Sequence, residues 1–296
     1  MSLRILKSAA DYLLVYKPAG LPFHEDSEQP GVMQLLRAME EAGQIPEGER
    51  IFPVHRLDTM TSGILVFARG RKAANQLGNE FRFSRVEKIY AAISDRAPTR
   101  VMGTISGDME KSRDGSWKLL RTTTSPAITH FLSYPYKHGR NLRLFLLRPR
   151  TGKTHQIRVA LKSIGSPVLG DGRYGGYAAA RSEQRGYLHA LGIRFTIGEK
   201  VVSWVDAPSE GEEFLSSEFR MALGSAGNIF EIKWPGLKPK WKEFEERDAA
   251  RKEAEKPGKR GSKRRSPLSS DAPPRRKKKR PPKRRGNEDT LKPRGA

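Results

Sequence analysis

The chain has 296 residues, enough for one large domain or two small ones, with 56 Lys and Arg against 33 Asp and Glu and no cysteine. The missing cysteine excludes a disulfide scaffold, zinc-finger or iron–sulfur ligation and a thiol nucleophile. A formal charge of +23 says nothing about fold but favours a polyanionic partner, nucleic acid before an anionic membrane surface.

In chain order, the first clear element is an apolar strand at 12–16, followed by a helix at 32–42. A second apolar strand is expected at 64–68. Ala73, Leu77 and Phe81 then recur at i, i+4 and i+8 and predict a helix over 72–81. Strands at 88–93, 117–120, 128–134 and 142–147 lead to a helix at 154–164. Its N-cap is read as Thr154 and its apolar stripe as Ile157, Ala160, Leu161 and Ile164. A strand at 201–205 and a helix at 212–223 complete the apolar part. Strands outnumber helices and most connections are too short for crossover helices. The expected class is therefore α+β, with a mixed, largely antiparallel sheet flanked by helices.

This folded domain is expected to span 1–235. Residues 236–256 are rich in Glu, Lys, Arg and Ala with little apolar face beyond Trp241 and Phe244, which reads as a solvated helical connector. Residues 257–296 carry 16 Lys and Arg against 3 acids, with prolines throughout. Such a segment cannot bury enough apolar surface to offset its ordering entropy and is expected to be a disordered basic tail. No apolar run approaches the roughly 18 residues of a spanning helix, and the N-terminus lacks a secretory signal, so a soluble, cytoplasmic protein is expected, monomeric by default.

Two short patterns mislead. Gly170-Asp-Gly-Arg-Tyr-Gly175 satisfies the dinucleotide-binding spacing, but Pro167 interrupts the stretch before it and no apolar periodic helix follows. Gly152-Lys153-Thr154 ends like a phosphate loop, yet Leu147 stands where that loop needs its first glycine. The six histidines, at 24, 55, 130, 138, 155 and 189, have no metal-ligand spacing, so no metal is expected.

Two segments carry chemistry. Residues 53–69 pack His55, Arg56, Asp58, Thr61 and Ser62 into a polar turn feeding an apolar strand, which is how a rigid scaffold presents site residues. Residues 148–161 place Arg148, Arg150, Lys153, His155 and Arg158 around a helix start. Cations there oppose the helix dipole, so an anion is expected to meet them, either RNA phosphate or a carboxylate such as Asp58.

His55-Arg-Leu-Asp58 followed by Thr-Ser-Gly, the Lys88-Ile-Tyr90 strand, Thr151-Gly-Lys-Thr-His-Gln-Ile-Arg158, Gly165-Ser-Pro-Val-Leu-Gly-Asp with Tyr174-Gly175, and Leu188-His-Ala190 resemble the successive signatures of RluA-type RNA pseudouridine synthases. Leu14-Val-Tyr-Lys-Pro-Ala-Gly20 fits as well, and the order and spacing agree over about residues 10–205. One departure is Ala160, where many members carry a second histidine. The resemblance implies isomerisation of uridine within RNA, with no cofactor and no metal. It implies a catalytic set of Asp58, acting on the ribose, Tyr90, stacking on the target base, and Arg158, pairing with Asp58. Arg56 is implied to fill the space of a flipped-out nucleotide, which points to a stem-loop of ribosomal or transfer RNA. Arg148, Arg150 and Lys153, with Lys277, Lys278, Lys279 and Arg280 of the tail, are the expected phosphate contacts. The competing reading is a non-catalytic RNA- or ribosome-binding protein that works through its tail. Asp58 argues against it, because a phosphate binder gains nothing from a buried acid.

Overall fold

The computed structural model describes residues 2–25, 29–46, 48 and 50–254. The expected basic tail, with Lys277, Lys278, Lys279 and Arg280, lies outside the described residues. The chain order is β1 (Arg4–Ser8), β2 (Tyr12–Lys17), α1 (Val32–Glu41), β3 (Ile51–Pro53), β4 (Ser62–Arg69), α2 (Gly70–Arg82), β5 (Glu87–Ser94), β6 (Met102–Gly107), β7 (Met109–Lys111), β8 (Trp117–Leu119), β9 (Ala127–His138), β10 (Arg140–Pro149), α3 (Gln156–Ser163), α4 (Tyr177–Arg181), β11 (Leu188–Ile197), β12 (Lys200–Val205), α5 (Glu212–Leu215), α6 (Ser217–Gly224) and α7 (Pro239–Ala254).

Ten strands share one sheet, in the order β1-β2-β4-β11-β5-β10-β9-β6, with β12 added to β11 and β3 to β4, while β7 and β8 form a separate hairpin. All its pairings are antiparallel except β4 with β11, which touch through Ser62 opposite His189 and Gly63 opposite Ala190. The α+β class is as expected. Side chains alternate across the sheet, so each face collects its own core. On one face lie a cluster with Leu13, Val15, Leu36, Leu65 and Ala190 and a second with Ala92, Leu147, Leu161 and Leu188. Tyr90 packs against both, at the seam between them.

Gly63 explains how β4 and β11 can approach there. At φ 110° its position disfavours any side chain, and a Cβ would stand 2.4 Å from the carbonyl oxygen of Ala190. The loop that carries Asp58 ends immediately before this contact.

Several elements differ from expectation. β1, β3, β6, β7 and β11 are additional strands; β11 contains His189 and Gly192, which break a simple apolar pattern. The helix expected at 212–223 is two helices, because Ser216 is extended (ψ 148°) and its hydroxyl accepts the Phe219 amide as a new N-cap. Thr154 does not cap α3. That position is held by His155 in a left-handed conformation (φ 56°), and the Gln156 carboxamide oxygen takes the Lys153 amide. The connector is not a solvated helix either. Trp241, Phe244, Glu245, Asp248 and Lys252 form its less exposed stripe, with Trp241 buried at 4%.

Candidate active site

The loop between β3 and β4 is tied down on both sides of Asp58. The ring of His55 stacks on Phe81 at 4.5 Å and its Nε2 accepts the Val66 amide at 2.9 Å. Farther along, the Asp58 carbonyl takes the Thr61 amide, and the Thr59 carbonyl takes both the Gly20 amide and the Lys17 ammonium. Lys17 is completely buried, and its three N–H groups go to the carbonyls of Pro18 (2.8 Å), Leu21 (2.7 Å) and Thr59 (3.0 Å). Burial, with Arg185 nearby, pulls its pKa down to about 7. The Asp58 carboxylate thus sits on an immobilised turn while its side chain keeps 26% exposure.

Opposite it, α3 delivers Arg158. The guanidinium donates Nε and Nη2 to the two oxygens of Asp171 at 2.7 and 2.8 Å, leaving Nη1 to reach Asp58 at 3.2 Å. Asp171 is itself buried and accepts the amides of Arg173 and Tyr174. A bidentate pair in a dry site fixes the plane of an arginine as well as its charge. Burial opposes that charge, but the two carboxylates outweigh it and hold the Arg158 pKa above its ordinary value. Asp171 belongs to the apparent dinucleotide fingerprint, whose real role is different. Gly170 there has φ 76°, and a Cβ would meet the carbonyl oxygen of Arg185 at 1.9 Å, so the backbone angle and the close approach both call for glycine.

One cavity of about 490 Å³ is lined by Asp58, Tyr90 and Arg158 together, with Arg56, Lys153, His155 and Lys88. Tyr90 reaches it from the seam of the two cores. Burial, and then the Asp58 charge, raise the phenol pKa, so Tyr90 is an uncharged ring at neutral pH. Arg56 Nη2 lies 3.4 Å from the Thr154 hydroxyl across the cavity mouth. A second cavity of about 700 Å³ shares Arg56, Asp58, His155 and Arg158 and adds Arg173 and Arg185.

Not every expected cation is free for RNA. Arg148 is turned to Glu87 at 3.1 Å, and Arg150 forms a two-pronged pair with Glu245 of α7 at 2.9 and 2.8 Å. Neither lines the Asp58 cavity. Lys153 does, and among the described residues its ammonium has the Ser125 hydroxyl as its one hydrogen-bond partner, at 3.0 Å. Asp171, Tyr174 and Lys17 are the positioning residues that the sequence reading passed over. All three stand inside the motifs quoted for the family, so the signal was present without a stated role. Tyr174 holds His155 Nδ1 at 2.9 Å and lies beneath Arg158 at 5.0 Å. Among the described residues no group of three or more His, Cys, Asp or Glu could hold a metal, and no helix is long and apolar enough to cross a membrane.

The fold is shared with a known class. Over 70% of this chain and 84% of the other, the structure superposes on that of human RNA Pseudouridylate Synthase Domain Containing 1, at 26% identity and a TM-score of 0.60. The architecture is that of an RNA pseudouridylate synthase.

The family follows from sequence. Residues 11–163 match the family model described as RNA pseudouridylate synthase. An uncharacterized RNA pseudouridine synthase of Haemophilus influenzae is 39% identical over 212 residues, covering 72% of this chain and 90% of the relative. A tRNA pseudouridine synthase C of Pasteurella multocida is 33% identical, covering 66% of this chain and 86% of that protein. The chain therefore belongs to the RNA pseudouridylate synthase family, of the RluA type, and is an RNA pseudouridine synthase, an isomerase.

Proposed function

We propose that this enzyme isomerises a uridine in a stem-loop of ribosomal or transfer RNA, with Asp58 as the essential carboxylate. The observation that carries the reading is the geometry of Asp58, partly exposed in a cavity beside an uncharged tyrosine and met by Nη1 of an arginine whose Nε and Nη2 are clamped from behind. The N1–C1′ bond breaks, the base turns, C5 bonds to C1′, and the C5 proton is released as N1 gains one. Asp58 serves this either by attacking C1′ or by removing the 2′ proton. Tyr90 supplies the stacking surface for the base, and Arg56 at the cavity mouth takes the place of the extruded nucleotide. The reaction is redox-neutral and intramolecular, so it needs no cofactor or metal.

Lys153 contributes a phosphate contact at the site, and the basic tail, Lys277 to Arg280 included, adds nonspecific ones. The enzyme is taken to act as a cytoplasmic monomer. The similarity to a transfer-RNA enzyme supports a structured RNA substrate without choosing the uridine. Tritium release from 5-tritiated uridine in total RNA tests the reading. Wild type should release tritium and Asp58→Asn should lose at least about three orders of magnitude; equal release from both proteins would sink it. Truncation after residue 256 should flatten the salt dependence of RNA binding while leaving saturated turnover nearly unchanged.

A further inference from the structure

Lys17 is completely buried and Lys88 is half-buried at the wall of the active cavity, and their ammonium groups are treated in opposite ways. Lys17 spends all three N–H groups on backbone carbonyls. Lys88 lines the active cavity, and among the described residues its Nζ has no hydrogen-bond or ion-pair partner; its contact is the face of Phe81, with the ring centroid 6.0 Å away. The charge that acts on it is another cation, Lys252 of α7, and it in turn disfavours protonation of His55. Burial first, and Lys252 second, bring its pKa down to about 8. An ammonium partly withdrawn from water, with a second cation near it and no counter-charge beside it, costs free energy, and an anion placed there would offset that cost.

We propose that Lys88 is a phosphate anchor, binding a phosphodiester of the nucleotide whose base stacks on Tyr90. The placement supports this. Lys88 and Tyr90 are two residues apart on β5, so both side chains rise from one face about 7 Å apart, the scale of base to phosphate within one nucleotide. Arg82, Ser84 and Thr151 line the same cavity, adding a second cation and two hydroxyls. The anchor completes the site, with Asp58 and Arg158 at the sugar, Tyr90 at the base and Lys88 at the phosphate. The inference rests on the reading of Tyr90 as the stacking ring.

Binding separates this proposal from the chemistry. In the full chain carrying Asp58→Asn, affinity for a labelled oligouridylate of about ten nucleotides is measured by anisotropy over a salt series. Adding Lys88→Met should weaken binding about fivefold or more at low salt and make the slope of log K against log salt shallower by about 0.7; Lys88→Arg should keep the parent slope. An unchanged slope in a Lys88→Met protein with unchanged melting temperature overturns the proposal. Should that variant unfold, lysine NMR on the parent chain decides, with uridine 5′-monophosphate raising the Lys88 pKa by about one unit or more. No movement at saturating nucleotide overturns it. Failure to form pseudouridine in the tritium assay leaves these binding outcomes readable.

Discussion

Arg150 and Arg158 enter the same stretch of sequence as members of one cationic cluster, and the fold separates them completely. Arg158 turns inward from α3 and is shared between two carboxylates, buried Asp171 and half-open Asp58. Arg150, one residue past the end of β10, turns to α7 and pins it through Glu245. One arginine meets the proposed catalytic acid, and the other staples α7. A run of positive charge therefore reports that anions are met, not which ones. Asp58, Asp171, Glu87 and Glu245 come from four separated parts of the chain, and together they absorb most of what reads locally as an RNA-binding patch.

The largest effect is expected from the Arg158 side. Asp171→Asn removes the back clamp and frees the guanidinium to swing, so turnover should fall about 100-fold with KM nearly unchanged, as pseudouridine formation on total RNA would register. A drop confined to KM would instead make Asp171 part of the RNA-binding surface. The Arg150 side should respond in stability rather than catalysis. Truncating the buried Trp241 to Ala should cost about 3 kcal/mol, or undock α7 outright, read by denaturant unfolding. Arg150→Ala should change RNA affinity less than about threefold, because its charge is already paired, whereas Lys153→Ala should remove about 0.7 from the salt slope. If Arg150→Ala weakens binding as much as Lys153→Ala, the division between the two arginines fails.

The smallest effect concerns pH. His55, which holds the Asp58 loop, and His189, bonded to Ser62 and the Asp206 carbonyl, have pKa values driven by burial from an ordinary 6.5 to about 3. Between those values the unfolded chain binds more protons than the folded one. The stability these rings contribute is therefore whole above pH 6.5 and lost as pH falls toward 3. Amide exchange at Val66, whose N–H is held by His55, should accelerate, relative to its intrinsic rate, as pH drops from 6 to 4. Unchanged protection over that range would remove His55 from the support of the loop.

Much of the sheet was legible because its inner strands are apolar runs, as in β4, where every residue from Ser62 to Arg69 is buried. β11 escaped because a polar His189 and a Gly192 sit among its buried positions, each there for a tertiary reason. His189 is satisfied by Ser62 and Asp206, and a Cβ at 192 would press on Ile229 at 2.6 Å. Likewise α7 reads as a solvated helix since its inward stripe contains only two large apolar residues. Its docking depends on Glu245 finding an arginine 95 residues away. Ordered motifs singled out Asp58, Tyr90 and Arg158, which the fold brings to one cavity, while Asp171 stood within a glycine pattern set aside for its context.

By itself the sequence determined the α+β class, the concentration of charge beyond residue 256 and the family resemblance, and it singled out Asp58 as the candidate acid. All of these are carried by local composition, periodicity or the order of motifs. Tertiary structure alone decided which cations are occupied and which remain open to RNA, that Asp171 clamps Arg158, and that Lys17 is satisfied where Lys88 is not. The physical reason is that ion pairing and desolvation depend on distances of a few ångströms between residues distant in the chain. No spacing along the chain encodes those distances.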